Sequence, residues 1–101
     1  MIELSSRTIE TIDEMFSYSD AVLAKELLAY RCGDNVPGCE GHTPEQMDRI
    51  RLSALKVSGG VYTELKKAVE LACIDWRDLF MAAGFGHDAE AHLKWVPKST
   101  H

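Results

Sequence analysis

The chain has 101 residues, of which 46% are hydrophobic and 27% are charged, and its net charge is −5. This length suits one domain with one modest core, and the composition excludes the disordered, collagen-like and low-complexity classes. The acidic balance argues against a general affinity for nucleic acid or anionic lipid, because both depend on a cationic surface.

The sequence shows neither an apolar run of roughly 18 residues, which a bilayer span needs, nor the basic start and apolar stretch of a signal peptide. The chain contains three cysteines. An odd number of cysteines without an export signal favours reduced thiols over a disulfide framework. These features predict a cytoplasmic protein.

Apolar residues recur at helical spacing along the chain, and period-two alternation is nowhere convincing. The pattern predicts an all-α protein, a compact bundle of about five to six helices in a single domain over residues 1–101. The predicted helical segments are about 6–16, 20–31, 44–57, 61–74, 75–83 and 88–95. An irregular loop at about 32–43 and a frayed tail at about 97–101 complete the chain.

The first two segments each place apolar residues on one stripe that is expected to face the core. These stripes are Ile9, Ile12 and Phe16 in the first segment, and Leu23, Leu27 and Tyr30, widened by Val22 and Leu28, in the second. Ser17 and Ser19 offer an N-cap for the second segment, and Gly33 is expected to end it in the left-handed conformation.

The third segment has the clearest predicted boundary. In "TPEQ", Thr43 and Gln46 have the spacing of a capping box, and Pro44 occupies the first helical position, where its missing N–H costs nothing. The glycines of "SGG" at 58–60 predict its end. Its expected inward face is Met47, Ile50, Ala54 and Val57.

The stretch "DWRDLFMAAGFG" at 75–86 combines two carboxylates, an arginine and a tryptophan. We interpret it as a packed helix, because Asp75 is a preferred N-cap and Gly84 with Phe85 suits a helix end. A break near Asp75 is therefore expected. The stripe Trp76, Leu79, Phe80 and Ala83 is predicted to be buried. Arg77 is predicted to face away from Trp76 and to pair with an acidic residue of the first helix or remain solvated.

"RLSALKVSGG" followed by "LKKAVELACIDWRDLFMAAGF" resembles a segment shared by a group of small uncharacterised bacterial all-helical proteins. The resemblance covers about the last half of the chain. It implies an all-helical bacterial protein and carries no activity that could be transferred.

The loop contains Cys32, Cys39 and His42, a thiolate and imidazole set that a zinc ion would accept. The first gap is long, and the fourth ligand would have to be Asp34, Glu40 or a distant His87. Zinc binding is therefore a secondary hypothesis. The apolar neighbours of Cys73 predict that its thiol is buried and inert.

A basic segment lies at 49–67, between two acidic parts of the chain. Its cations are Arg49, Arg51, Lys56, Lys66 and Lys67, opposed by Glu64 alone. Two helices joined by "VSGG" have the outline of a helix-turn-helix, so this segment offers an alternative as a nucleic-acid interface. Against that alternative, the second helix lacks a convincing array of base-reading side chains.

The sequence shows no catalytic acid/base set and no phosphate-binding glycine loop. The preferred hypothesis is a non-enzymatic protein that acts through protein–protein contacts as a regulator, an adaptor or an acidic inhibitor-like partner, with a homodimer expected. Several large apolar residues fall outside the assigned stripes and either form an exposed patch or belong to the core. They are Leu28, Leu52, Leu71, Met81 and Trp95.

Overall fold

The computed structural model describes residues 3–33, 43–86 and 91–97. Within these ranges the secondary structure is entirely helical, which confirms the all-α prediction. The helices are α1 (Ser6–Met15), α2 (Tyr18–Arg31), α3 (Pro44–Ser58), α4 (Tyr62–Ala83) and α5 (Ala91–Lys94). None of the helices in these ranges combines the length and the hydropathy that a bilayer span requires.

α3 and α4 form the most extensive helix pair, and α1 and α2 pack against them. The core draws on every one of the first four helices. Among its fully buried members are Ile12, Leu28, Ile50, Leu55 and Leu65. Leu52, which had no place on a predicted stripe, is fully buried as well. A helix with buried residues on several sides packs against more than one neighbour.

Both ends of α3 form as the sequence predicts. The Thr43 hydroxyl accepts a hydrogen bond from the Gln46 amide at 3.2 Å, and the Thr43 amide donates to Gln46 Oε1 at 3.3 Å, which completes the capping box. Gly59 follows the helix with φ 60°, in the left-handed region that glycine adopts without steric cost.

The predicted break inside 61–83 is confirmed as a kink in α4. Asp75 has φ −158° and ψ 103°, so its backbone is extended although helix continues on both sides. Its carboxylate accepts a hydrogen bond from the Arg77 amide at 3.0 Å, which is the bond an N-cap makes. The second half of α4 thus begins at its own cap.

The end of α4 is also as predicted. The Gly84 amide donates to the Met81 carbonyl and the Phe85 amide donates to the Phe80 carbonyl, which is the paired bonding of a Schellman motif. Gly84 has φ 78°, and Phe85 is buried at 2% exposure. The stretch from Asp75 to Phe85 is therefore a capped helix that packs on the core.

Several predicted inward positions are wrong. The structure exposes Ile9, Leu23, Tyr30 and Val57, and in α1 and α2 it buries smaller neighbours instead. In α1 the threonines Thr8 and Thr11 lie inside, where Thr11 donates to the Arg7 carbonyl at 2.7 Å. Because this hydroxyl forms its hydrogen bond within its own helix, a threonine can be buried at low cost. The threonines therefore occupy the face of α1 where Ile9 was predicted to lie.

The predicted left-handed end of α2 is wrong too, since Gly33 does not have a positive φ. Gly33 is buried, and a Cβ atom at this position would lie 3.4 Å from Arg51 Nη2. The absence of a side chain matters here because the arginine passes close by, and not because of the backbone conformation.

Candidate functional site

The unusual surface of this molecule is the outward side of α2. This helix faces the core with Ala21, Ala24 and Leu28, at i, i+3 and i+7. Several of its other large residues face outward, with Tyr18 at 89% exposure, Tyr30 at 68% and Leu23 at 44%. The small residues let the helix lie close to the core, and these three large side chains remain exposed to solvent.

A groove of about 720 Å³ lies between α2 and the first half of α4. Leu27 of α2 and Tyr62, Val69 and Ile74 of α4 give it apolar walls. Ile74 is 80% exposed, so the apolar surface continues outward from the groove. The size and lining are those of surfaces that receive an apolar side chain or helix from a partner.

Three charged side chains stand along this groove, namely Arg31, Lys66 and Glu70. Lys66 and Glu70 are four residues apart on α4 and therefore lie on the same side of the helix. Arg31 is the last residue of α2. The groove is thus an apolar floor with charges of both signs at its edges, which is the layout of a protein–protein interface with a polar rim.

A second hollow, of about 640 Å³, lies on the other side of α2, against α1. Phe16 and Ala21 are at its base, and Tyr18 and Val22 flank it. The Lys25 ammonium forms an ion pair with Asp13 at 2.8 Å across the two helices. α2 is therefore an apolar ridge between two hollows.

Cys73 lines the α2–α4 groove, and the prediction of a buried thiol is wrong. The side chain is half-buried, and its Sγ lies 3.8 Å from the carbonyl oxygen of Arg31. The apolar neighbours in sequence did not predict its position, because Ile74 beside it is itself exposed.

The predicted metal ligands lie mostly outside the described residues, among them Cys39, His42 and the candidate fourth ligands. Cys32 is described and is fully buried, and its carbonyl accepts a hydrogen bond from Arg51 Nε at 2.9 Å. Within the described ranges no group of three or more His, Cys, Asp or Glu side chains could hold a metal ion. Zinc binding by the loop stays a prediction.

The structure does not bring the five cations of 49–67 together on one free surface. Arg51 has 0% exposure and donates to main-chain carbonyls, so it is not available to a phosphate. Arg49 lies 4.0 Å from the Phe80 ring centroid and donates to the Phe85 carbonyl, and Lys56 lies 4.7 Å from the Phe85 ring centroid.

The other two cations of this segment, Lys66 and Lys67, are exposed on α4, and Lys67 pairs with Glu64 at 3.2 Å. The nucleic-acid alternative stays a prediction, and it would depend on these two lysines. Two phosphate contacts supply little of the counterion release that drives such binding.

At the kink of α4, Arg77 Nε donates to Asp75 Oδ1 at 3.2 Å. Of the two predicted alternatives, pairing with α1 is wrong, and the solvated position is confirmed by a side chain that is 75% exposed. The guanidinium carbon lies 6.0 Å from the Trp76 ring centroid instead of facing away. The side-chain hydrogen bond from Arg77, followed by the one from its amide, lowers the pKa of Asp75. The same pair raises the pKa of Arg77.

Because the pKa of Asp75 is lower in the folded chain, its carboxylate stabilises the fold above the ordinary aspartate pKa, and this contribution is lost as the pH falls through the folded value. We expect Asp75→Asn, which retains the capping oxygen, to be less stable than the parent at pH 7, and we expect this difference to shrink as the pH falls through the lowered pKa of Asp75. Urea unfolding of both proteins at pH 7, 5, 3 and 2 measures this. A difference that stays constant with pH would show that the charge is not its source.

No protein-family model, no curated protein and no solved structure matches the chain.

Proposed function

We propose that this protein acts through protein–protein contacts, as a non-enzymatic cytoplasmic regulator or adaptor. We further propose that its contact surface consists of the outward side of α2 and the α2–α4 groove, and we call this surface the docking face. The observation that supports the proposal is the orientation of α2, which buries alanines and exposes Tyr18, Leu23 and Tyr30.

Tyrosine is enriched at protein interfaces because it offers a large rigid apolar surface and a hydroxyl that tolerates water. Tyr18, Leu23 and Tyr30 of α2 and Ile74 of α4 place four large exposed side chains on two adjoining helices. Such a surface is usual for a binding site and costly in a protein that never binds a partner.

The proposal is tested by capture from a lysate of the source cells with three purified baits, in parallel samples with and without nuclease. The baits are the parent chain, Leu23→Glu on the docking face and Ile9→Glu on α1. Leu23 and Ile9 are both partly exposed, at 44% and 36%, so neither substitution buries a charge in the core. Far-UV circular dichroism checks that all three baits fold.

A protein retained stoichiometrically by the parent and by Ile9→Glu, and lost with Leu23→Glu, is the expected result. We expect at least about a tenfold loss of retained partner, since a charge placed in a desolvated contact costs more than 1.4 kcal/mol. Equal capture by all three baits would overturn the docking face. Recovery that disappears with nuclease would favour the nucleic-acid alternative instead.

A further inference from the structure

We infer that the partner on the docking face is a second copy of this chain, bound about a two-fold axis with α2 antiparallel to the α2 of the other copy. This inference rests on the proposed function, because it names the occupant of the same face. It is drawn from the order of charges and apolar residues along α2.

Leu27 and Arg31 of α2 line the groove, and Asp20, Leu23 and Tyr30 share their stripe of the helix by spacing. Their spacing, i, i+3, i+7, i+10 and i+11, keeps them within one third of the helix circumference. An acidic residue is at the beginning of this stripe, a basic residue is at its end, and three apolar residues lie between them. Asp20 is in the first turn and Arg31 in the last.

A two-fold axis reverses the direction of the helix in the second copy. With the axis near Leu27, Leu23 of each copy lies opposite Tyr30 of the other. In this register each step forward along one helix is a step backward along the other, as Leu23 opposite Tyr30 shows. Asp20 of one copy then lies within one helical turn of Arg31 of the other copy. Each of the two ends gains one pair of opposite charges, and the apolar residues cover one another at the centre. A parallel arrangement would place Asp20 beside Asp20 and Arg31 beside Arg31.

The remaining charges of the docking face are compatible with self-association. Lys66 and Glu70 line the groove one helix turn apart. In a two-fold dimer, the opposing α2 would therefore have both a positive and a negative groove side chain within reach. The face carries Asp20, Glu26 and Glu70 against Arg31 and Lys66, and it is nearly neutral although the chain as a whole is at −5. Two copies that meet through this nearly neutral face would therefore experience little charge repulsion there.

Symmetry adds a further argument. A patch that is complementary to itself forms a closed dimer, in which each docking face covers the other and is not available to a third copy. Antiparallel helices also place the positive end of each helix dipole beside the negative end of the other.

The test is sedimentation equilibrium of the purified chain from about 1 to 500 μM, a range that covers the affinities typical of small homodimers. The expected result is a concentration-dependent approach to twice the chain mass of 11.3 kDa. Leu23→Glu is expected to raise the dissociation constant at least about tenfold, while Ile9→Glu, on α1, leaves it within about threefold.

Charge reversal tests the antiparallel register itself. Asp20→Lys and Arg31→Glu are each expected to weaken the dimer several-fold, and the double variant, which restores opposite charges across the axis, is expected to return the dissociation constant to within about threefold of the parent. Circular dichroism of each variant excludes unfolding as the cause. A loss of α2 helicity alone would not be repaired in the double variant.

The outcomes separate the two proposals. A chain that is monomeric at every concentration overturns the self-association, and face-dependent capture of another protein would still support the docking face. A dimer that is unaffected by Leu23→Glu overturns this inference and assigns the dimer contact to another surface. Additive weakening in the charge-reversal double variant overturns the antiparallel register.

Discussion

Replacing Arg51 with methionine is expected to lower the free energy of unfolding by about 3 kcal/mol or more. Arg51 is the largest of the fully buried side chains. Its Nε donates to the Cys32 carbonyl and its Nη1 donates to the Glu3 carbonyl, both at 2.9 Å. Methionine fills much of the space but donates no hydrogen bond, so both carbonyls lose their partner.

The size of the expected effect follows from where these carbonyls lie. Cys32 terminates α2, and Glu3 precedes α1, so one guanidinium on α3 ties two separate parts of the chain to the centre of the fold. Loss of a hydrogen bond from a charged donor costs roughly 1.5–3 kcal/mol. The bond to the Cys32 carbonyl is buried, and the bond to the carbonyl of Glu3, an exposed residue, is partly buried. Arg51→Lys should be less stable than the parent as well, because one ammonium does not have the planar fork that serves two directions.

Urea unfolding followed by circular dichroism measures the Arg51 series, with Arg77→Met as the matched control. Arg77 is exposed on α4, and its substitution is expected to change the free energy of unfolding much less than that of Arg51 does. A loss below about 1 kcal/mol for Arg51→Met would show that the buried hydrogen bonds contribute little beyond the cost of burying the charge.

The elements that could be predicted from the sequence are those whose signals are local. The capping box at Thr43 and Gln46, the cap at Asp75 and the helix end at Gly84 and Phe85 each depend on residues within six positions of one another. Hydrogen bonds of this kind form within one turn of helix, so the same residues that carry the signal also make the structure.

The orientation of α2 could not be predicted, because this helix is apolar on almost every side. Periodicity favoured Leu23, Leu27 and Tyr30 as the inward stripe, since larger side chains gain more from burial. The structure buries Ala21 and Ala24 with Leu28 instead. Close packing rewards the fit between two helix surfaces and not the size of one residue, and that fit is a property of the tertiary structure.

Arg51 was missed for a related reason. In a basic segment, a single arginine is expected to be a surface cation. The two carbonyl groups that accept hydrogen bonds from Arg51 belong to residues 19 and 48 positions away in the chain. Nothing in the local sequence distinguishes it from Lys66, which is exposed and lines the docking face. The basic segment therefore combines a buried arginine that holds the fold together with an exposed lysine that lines the groove.

Replacing Phe85 with alanine is expected to lower the free energy of unfolding by about 3 kcal/mol, the loss typical of a large buried aromatic side chain. Phe85 is 2% exposed, and its ring centroid lies 6.5 Å from that of His92 and 6.2 Å from that of Trp95. Lys56 Nζ lies 4.7 Å from the same centroid. The ring thus joins the end of α4 to α3 and to the segment that contains α5.

The substitution should also loosen α5 itself. In the parent chain, Arg7 Nη2 donates to the carbonyls of Leu93 and Trp95, so α5 is held by α1 on one side and by Phe85 on the other. Without the ring, Trp95 loses an aromatic neighbour and gains contact with water. A red shift of Trp95 emission is therefore expected, measured in a Trp76→Phe background so that only one tryptophan reports.

The matched control for this site is Phe85→Leu, which retains an apolar side chain and is expected to cost less than about 1.5 kcal/mol. Because both variants retain the backbone, the Phe85 amide can still donate to the Phe80 carbonyl, and the Phe85 carbonyl can still accept from Arg49. The difference between alanine and leucine then isolates the packing of the side chain from the helix-ending hydrogen bonds. If alanine and leucine lower the free energy of unfolding equally, the contribution of Phe85 comes from its aromatic ring contacts. If neither substitution lowers it appreciably, the contribution comes from the backbone hydrogen bonds alone.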